Sequence, residues 1–261
     1  MHIELLTATA TQPNTGAAAA AVTGDSLTIK NGRNGKDAVL ILAAWTTLQA
    51  TAGFAQVAYP SGHDTTRGYR AGVPLSSTEL MLPLGMHLRP QPQELLSVQL
   101  AGSNTAGDVE QWSALMMYDD LPGVSQRLMS ASEVMSRAKE LTTVEASITS
   151  SAGPGYSGTE LVNADSDLLK ANTDYALLGI STRSRVHAVW IQGPDTGNVK
   201  VGSPGLLRYE VAPQFFALLS RVTGRKTIPV INSGNKGSTN IGVHTDENAG
   251  TFLCTFHLAE I

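Results

Sequence analysis

A chain of 261 residues with a formal charge of −4 has room for one large domain or for two of about 120–130 residues, each with its own core. Only 15% of its residues are charged and 25 are glycine, which suits a turn-rich β protein better than a helical enzyme. The weak negative charge, without any Lys/Arg-rich arm, gives no electrostatic reason to bind nucleic acid or an anionic membrane, and the single cysteine excludes an intrachain disulfide scaffold.

The opening segment, MHIELLTATATQP, lacks a basic stretch followed by a long apolar run, so no signal peptide is expected. The longest apolar run, Ala38 to Trp45, is too short to cross a bilayer. A soluble chain made in the cytoplasm is the expectation. His2 to Thr11 alternates apolar and small polar residues, the pattern of a pleated strand, and Pro13 to Gly16 ends it. Asp25 to Lys30 reads as a short strand running into the turn pair Asn31-Gly32. Ala38–Gln49 and Phe54–Tyr59 are further strands, and PSGHDTTRGYRAG, Pro60 to Gly72, reads as an exposed polar loop. Four prolines between Pro74 and Pro92 cut the next segment into short extended pieces, and Leu95–Leu100 and Trp112–Tyr118 close the half.

The period then changes. Val124 to Leu141 sets Val124, Leu128, Ala131, Met135 and Ala138 at helical spacing, which predicts one helix joining two halves. Beyond it the first half is repeated. Thr142–Ser150 matches the first strand, Thr159–Leu169 the region of Asp25–Lys30, and DYALLGIST, Asp174–Thr182, matches DAVLILAA, Asp37–Ala44. Val186–Ile191 matches Phe54–Tyr59, and Thr227–Gly234 matches Leu95–Gly102 about 132 residues earlier. Phe252–Leu258 matches Trp112–Tyr118. Each match is weak alone; their common order points to a duplication. About eight short strands per half fit two packed antiparallel sheets, a sandwich or a jelly roll. Long excursions such as Pro60–Pro74 and Gly193–Pro204 suit connections that cross between sheets.

Chemical motifs are scarce. No GxSxG, HExxH, CxxC or phosphate-loop pattern occurs, and GNKGST, Gly234 to Thr239, has the wrong spacing and reads as a turn. The six histidines, His2, His63, His87, His187, His244 and His257, do not fall at metal-ligand spacing. His63-Asp64 with Arg67 and Arg70 reads as a solvated loop, and His244-Thr245-Asp246-Glu247-Asn248 as a turn whose oxygens suit a hard cation without the alternation of an EF-hand. Nothing sets Asp119-Asp120 and Asp165/Asp167 across a cleft, as glycosidase chemistry needs. Cys254 in TFLCTFHL, and Trp45, Trp112 and Trp190, read as core residues. The expectation is a chain with no catalytic residue, no cofactor and no metal, whose small-residue strands and sparse charge suit burial against neighbours.

The paired blocks Asp37–Ala44 with Asp174–Thr182, Phe54–Tyr59 with Val186–Ile191, Leu95–Gly102 with Thr227–Gly234, and Trp112–Tyr118 with Phe252–Leu258 give almost the whole chain an architectural resemblance to a family. It resembles the double jelly-roll major capsid proteins of icosahedral viruses with an internal membrane, in particular the compact corticovirus-type phage members. The resemblance implies an all-β chain of two tandem eight-stranded jelly-roll β-barrels joined by a short helical linker. The expected divisions are an N-terminal jelly roll over 1–122, the linker over 123–141 and a C-terminal jelly roll over 142–261. It further implies a non-enzymatic homotrimer, a pseudo-hexagonal tile of a virion shell, whose partners are its own copies, neighbouring capsomers and other virion proteins such as a penton. Some relatives carry a basic or amphipathic terminal segment aimed at the membrane, and neither terminus here resembles one, which leaves membrane contact open. The alternatives from other classes are a two-domain β-sandwich hydrolase and a carbohydrate-binding module.

Overall fold

The alternating N-terminal segment is a strand, His2–Thr11 (β1). The computed structural model describes residues 1–13, 19–32, 39–46, 53–62, 68–73, 78–81, 88–150, 157–161, 169–183, 186–204, 211–245 and 250–261. Two units emerge, Leu6–Pro122, and Gly123–Ile261 together with Met1–Leu5. The fold is mostly β, in antiparallel sheets. No helix among the described residues is long and apolar enough to cross a membrane.

The N-terminal unit holds β1 from Leu6 onward, followed by Ala20–Ala21 (β2), Thr23–Gly24 (β3), Val39–Thr46 (β4), Gly53–Ala58 (β5), Tyr69–Val73 (β6), Thr78–Met81 (β7), Ser97–Ala101 (β8) and Val109–Tyr118 (β9). They form a five-stranded sheet, order β3-β1-β9-β4-β7, and a four-stranded sheet, order β2-β8-β5-β6. β9 sits at the centre of the larger sheet and is buried from Glu110 to Tyr118, which explains its near-continuous apolar run. β8 is half-buried and alternates: Val98 and Leu100 point inward while Ser97 is exposed.

The C-terminal unit runs Leu128–Met129 (β10), Ala131–Arg137 (α1), Glu140–Ser150 (β11), Ser157–Leu161 (β12), Asp174–Thr182 (β13), Ala188–Gln192 (β14), Val201–Pro204 (β15), Phe215–Thr223 (α2), Ile228–Asn232 (β16), Asn240–His244 (β17) and Gly250–Glu260 (β18). Its sheets are ordered β10-β16-β13-β18-β11 and β12-β17-β14-β15. Stripped of the two-residue strands β3 and β10, the larger sheets read β1-β9-β4-β7 and β11-β18-β13-β16. Counted within each unit, both sheets of one unit have the strand order of their counterparts in the other. The likeness extends to an irregularity. β4 carries an extra residue, Ile41, where its pairing with β9 steps from Leu40–Met116 to Leu42–Leu115. β13 carries one, Leu178, where its pairing with β18 steps from Leu177–Leu258 to Gly179–His257. Ile41 and Leu178 hold the same place in DAVLILAA and DYALLGIST.

Several expectations need correction. Thr227–Gly234 does not correspond to Leu95–Gly102: β16 is an inner strand of the five-stranded sheet and β8 belongs to a four-stranded one, so β8 corresponds to β17 and β16 to β7. Short apolar strands that end in Gly/Asn turns look alike whichever sheet they join. Asp25–Lys30 is not a strand; it makes one isolated bridge, Thr28 with Leu95, and the counterpart of β12 is β2. The last-strand match holds but is shifted, since Met116 and Leu258, each beside the extra residue, are equivalent. The excursions Pro60–Pro74 and Gly193–Pro204 contain strands, β6 and β15, paired with β5 and β14.

The helix predicted over Val124–Leu141 covers only Ala131–Arg137. Leu128 and Met129 are drawn into pairing with Pro229 and Ile228, and Glu140 and Leu141 into the β11–β18 ladder, so tertiary pairing overrides the periodicity at both ends. Ser130 and Glu133 form a capping box that fixes the start. A second helix, α2, adds to the predicted elements. Phe215, Phe216 and Leu219 face inward, and Gly224 ends it in a left-handed turn (φ 66°). The turn Ala212–Gln214 just before it lies so close to β13 that a β-carbon on Gly179 would overlap the Ala212 carbonyl oxygen.

Candidate functional site

The sequence-singled residues fall apart in space. His63, Asp64, Arg67, His87, Asp165, Asp167, Asp246, Glu247 and Asn248 lie outside the described residues. Arg70, expected in a solvated loop, stands on β6: its guanidinium donates to Gln56 Oε1 (Nε at 2.9 Å) and stacks 4.0 Å from the centre of the Phe54 ring. His244 and Thr245 are buried, His244 as the last residue of β17. His187 donates its backbone N–H to the His244 carbonyl at 2.6 Å. Ser233–Ser238 around GNKGST is a short helical turn, closed by Gly234 N–H donating to Asn232 Oδ1 at 2.8 Å. Trp112 and Trp190 are core residues; of Trp45 only the backbone is described, on β4. Cys254 is fully buried and desolvation pushes its thiol up to about 12, which makes it a small hydrophobe. Among the described residues no three His, Cys, Asp or Glu side chains converge as metal ligands.

Four polar groups among the described residues bear on a site. In the N-terminal unit Glu110, at the start of β9, is fully buried. Its carboxylate accepts from Ser103 N–H at 3.0 Å and from Gln12 Nε2 at 2.6 Å. Burial, with a minor contribution from Asp108, pushes its pKa up to about 7. The Ser103 hydroxyl donates to Asp108, so the loop between β8 and β9 is held by this cluster. In the C-terminal unit Arg127 grips Asp174, the first residue of β13, through two bonds of 2.6 and 2.9 Å. That grip raises the guanidinium's pKa and lowers the carboxyl's. Asp195 completes the group by accepting from Asn232 N–H (2.9 Å) and Asn235 Nδ2 (3.0 Å). Lys170 joins Glu260, and Glu140 at 3.5 Å, across the first residues of β11 and the end of β18. These clusters tie strand ends together.

The fourth group has catalytic residue types. Ser181 Oγ and His257 Nε2 are 2.9 Å apart on the outer face of β13 and β18, and burial lowers the imidazole's pKa. A nucleophile–base contact of this kind needs a third group to orient the imidazole and donors to hold an oxyanion. Among the described residues no carboxylate bonds the ring, and the surrounding backbone is engaged in the β13–β18 ladder. A cavity of about 40 Å³ lies in the C-terminal unit, lined by Val144, Tyr175, Ile191, Ile231, Phe256 and Leu258 with Lys236 and Thr239 among its other walls. It has room for a water molecule or two, too little for a substrate. Sequence reasoning missed both Glu110 and the Ser181–His257 pair, because partners 98 and 76 residues apart leave no local spacing to read.

No protein-family model and no curated protein matches the chain. Among solved structures it is loosely similar to the PBSX exported protein XepA, with 10% identity over 99% of this chain and 86% of that one and a TM-score of 0.28. YhaK from Escherichia coli overlays with 10% identity over 97% and 86% and a TM-score of 0.21. The infectious bursal disease virus VP2 subviral particle overlays with 11% identity over 99% and 71% and a TM-score of 0.20. At such scores the functional reading rests on the chain's own topology.

Proposed function

We propose that the chain is a double jelly-roll shell protein, three copies of which form a pseudo-hexagonal tile of an icosahedral virion. The observation that carries the reading is the matched strand order of the two units, down to the extra residues Ile41 and Leu178 in equivalent strands. Numbered one to eight within a unit, the main described strands run 1-8-3-6 in one sheet and 2-7-4-5 in the other, an order that supports the jelly-roll reading. Two like-built barrels per chain and three chains per tile give nearly sixfold edges from threefold symmetry, so tiles pack in a hexagonal array. In this reading the partners are other copies and a separate protein at the fivefold positions, and the site of action is the virion.

Size-exclusion chromatography with light scattering tests it. A stable species of three times the chain mass is expected; a monomer at all concentrations overturns the reading. The hydrolase alternative draws on the Ser181–His257 contact alone. It requires Ser181 to react with a fluorophosphonate probe, and the shell reading expects no labelling.

A further inference from the structure

Helix α1 has seven residues and buries a single side chain, Val134, so its polar contacts with α2 and the turn after it matter to its hold. Ala131 N–H donates to Ser220 Oγ at 2.9 Å, and that hydroxyl donates in turn to the Arg225 carbonyl at 2.7 Å. Lys226 Nζ reaches Glu133 at 2.5 Å. The third contact differs in kind. Arg221 Nη2 lies 3.7 Å from the sulfur of Met135, a side chain that is 71% exposed. A thioether accepts hydrogen bonds only weakly, so here a charged fork of donors meets a poor acceptor. Glu133, the carboxylate on the same helix, is already taken by Lys226 and by the Ser130 N–H at 2.7 Å. Met116, Met117 and Met129, by contrast, are buried.

We propose that Met135 is an oxidation site, converted to its sulfoxide by hydrogen peroxide, and that Arg221 then donates to the new oxygen and holds α1 more firmly on α2. The sulfur lone pair attacks a peroxide oxygen, the O–O bond breaks, an S–O bond forms and water leaves. Sulfur gives up the electron pair that the peroxide gains. Position carries both halves of the proposal. Exposure admits the oxidant to Met135, and burial keeps it from Met116, Met117 and Met129. The sulfoxide oxygen is a polar acceptor one bond from a sulfur that already lies beside the guanidinium. A weak contact thereby becomes a charge-assisted hydrogen bond. The same step makes an exposed apolar side chain polar. It is also reversible, because methionine sulfoxide reductases restore the thioether, so the α1–α2 contact responds to oxidant in both directions.

Hydrogen peroxide treatment of the full chain tests it, followed by peptide mapping and hydrogen exchange, both read by mass spectrometry. Met135 should oxidise roughly tenfold or more faster than Met116, Met117 and Met129. The exchange reporters are the α1 amides, among them Val134 and Ala138, whose N–H groups donate to the Ser130 and Val134 carbonyls at 3.0 and 2.8 Å. They should exchange about threefold more slowly in the oxidised chain than in the reduced one. Methionine sulfoxide reductase should restore the original rate. Arg221→Gln, at an exposed position, should leave the oxidation of Met135 unchanged and abolish the slowing, measured against its own reduced form. Met135→Leu should show no effect of peroxide on α1. Three results each overturn the proposal: a Met135 as resistant as the buried methionines, α1 exchange that is unchanged or faster on oxidation, or slowing that persists in Arg221→Gln.

Discussion

Glu110 shows how one buried side chain sets a pH dependence. In the unfolded chain its carboxyl titrates near 4.5, and in the folded chain near 7, so the native state holds the proton more tightly. Its contribution is complete below pH 4.5 and is lost as the pH rises through about 7. The loss is on the order of 3 kcal/mol. Glu110→Gln should therefore stabilise the chain by about 1–2 kcal/mol at pH 8 and flatten that limb, read by urea denaturation across pH. A neutral amide fits the site, because Gln12 Oε1 has no hydrogen-bond partner among the described residues and accepts once its amide turns over. Asp174 acts in the opposite sense. Arg127 holds its pKa below the usual 3.8, so its contribution is present above that value and is lost as the pH falls through the lowered one. Asp174→Asn should remove this acid limb and weaken the attachment of Arg127 at neutral pH. Gly179→Ala drives a methyl into the Ala212 carbonyl and should cost about 3 kcal/mol by the same denaturation measurement.

At the scale of elements, caps and ladders decide where helices and strands stop. Ser130 accepts from Glu133 N–H at 3.2 Å at the start of α1, so Ser130→Ala should cost about 1 kcal/mol of thermal stability. Val230→Pro removes the N–H that donates to the Arg127 carbonyl at 2.8 Å, which should release β10 and abolish soluble assembly, checked by light scattering. The strands with strong local patterns were legible in the sequence: β1, β4, β5, β9, β11, β13 and β18 all fall on predicted segments. Matching strands across the halves succeeded where a pattern was distinctive, as in DAVLILAA and DYALLGIST, and failed for β8 and β16, whose shared turn chemistry says nothing about which sheet they join. α2 has a legible pattern as well, in the apolar spacing of Phe215, Phe216 and Leu219 ahead of Gly224. The polar clusters were not. Gln12 with Glu110 and Ser181 with His257 meet only after the sheets have formed.

At the scale of the molecule, repetition is the informative feature. A bulge conserves nothing chemical by itself, yet one extra residue at the same step of two equivalent ladders has little reason to arise twice in unrelated sandwiches. Two units with the same strand order in one polypeptide supply the near-symmetry that a hexagonal array of threefold tiles demands. The whole account stands on that pairing of like barrels within a threefold assembly, and cryo-electron microscopy of the purified protein tests it directly. The account predicts particles with threefold symmetry in which six barrel-shaped densities alternate around the axis. Single chains, or an assembly whose two units do not overlay strand for strand, would contradict it.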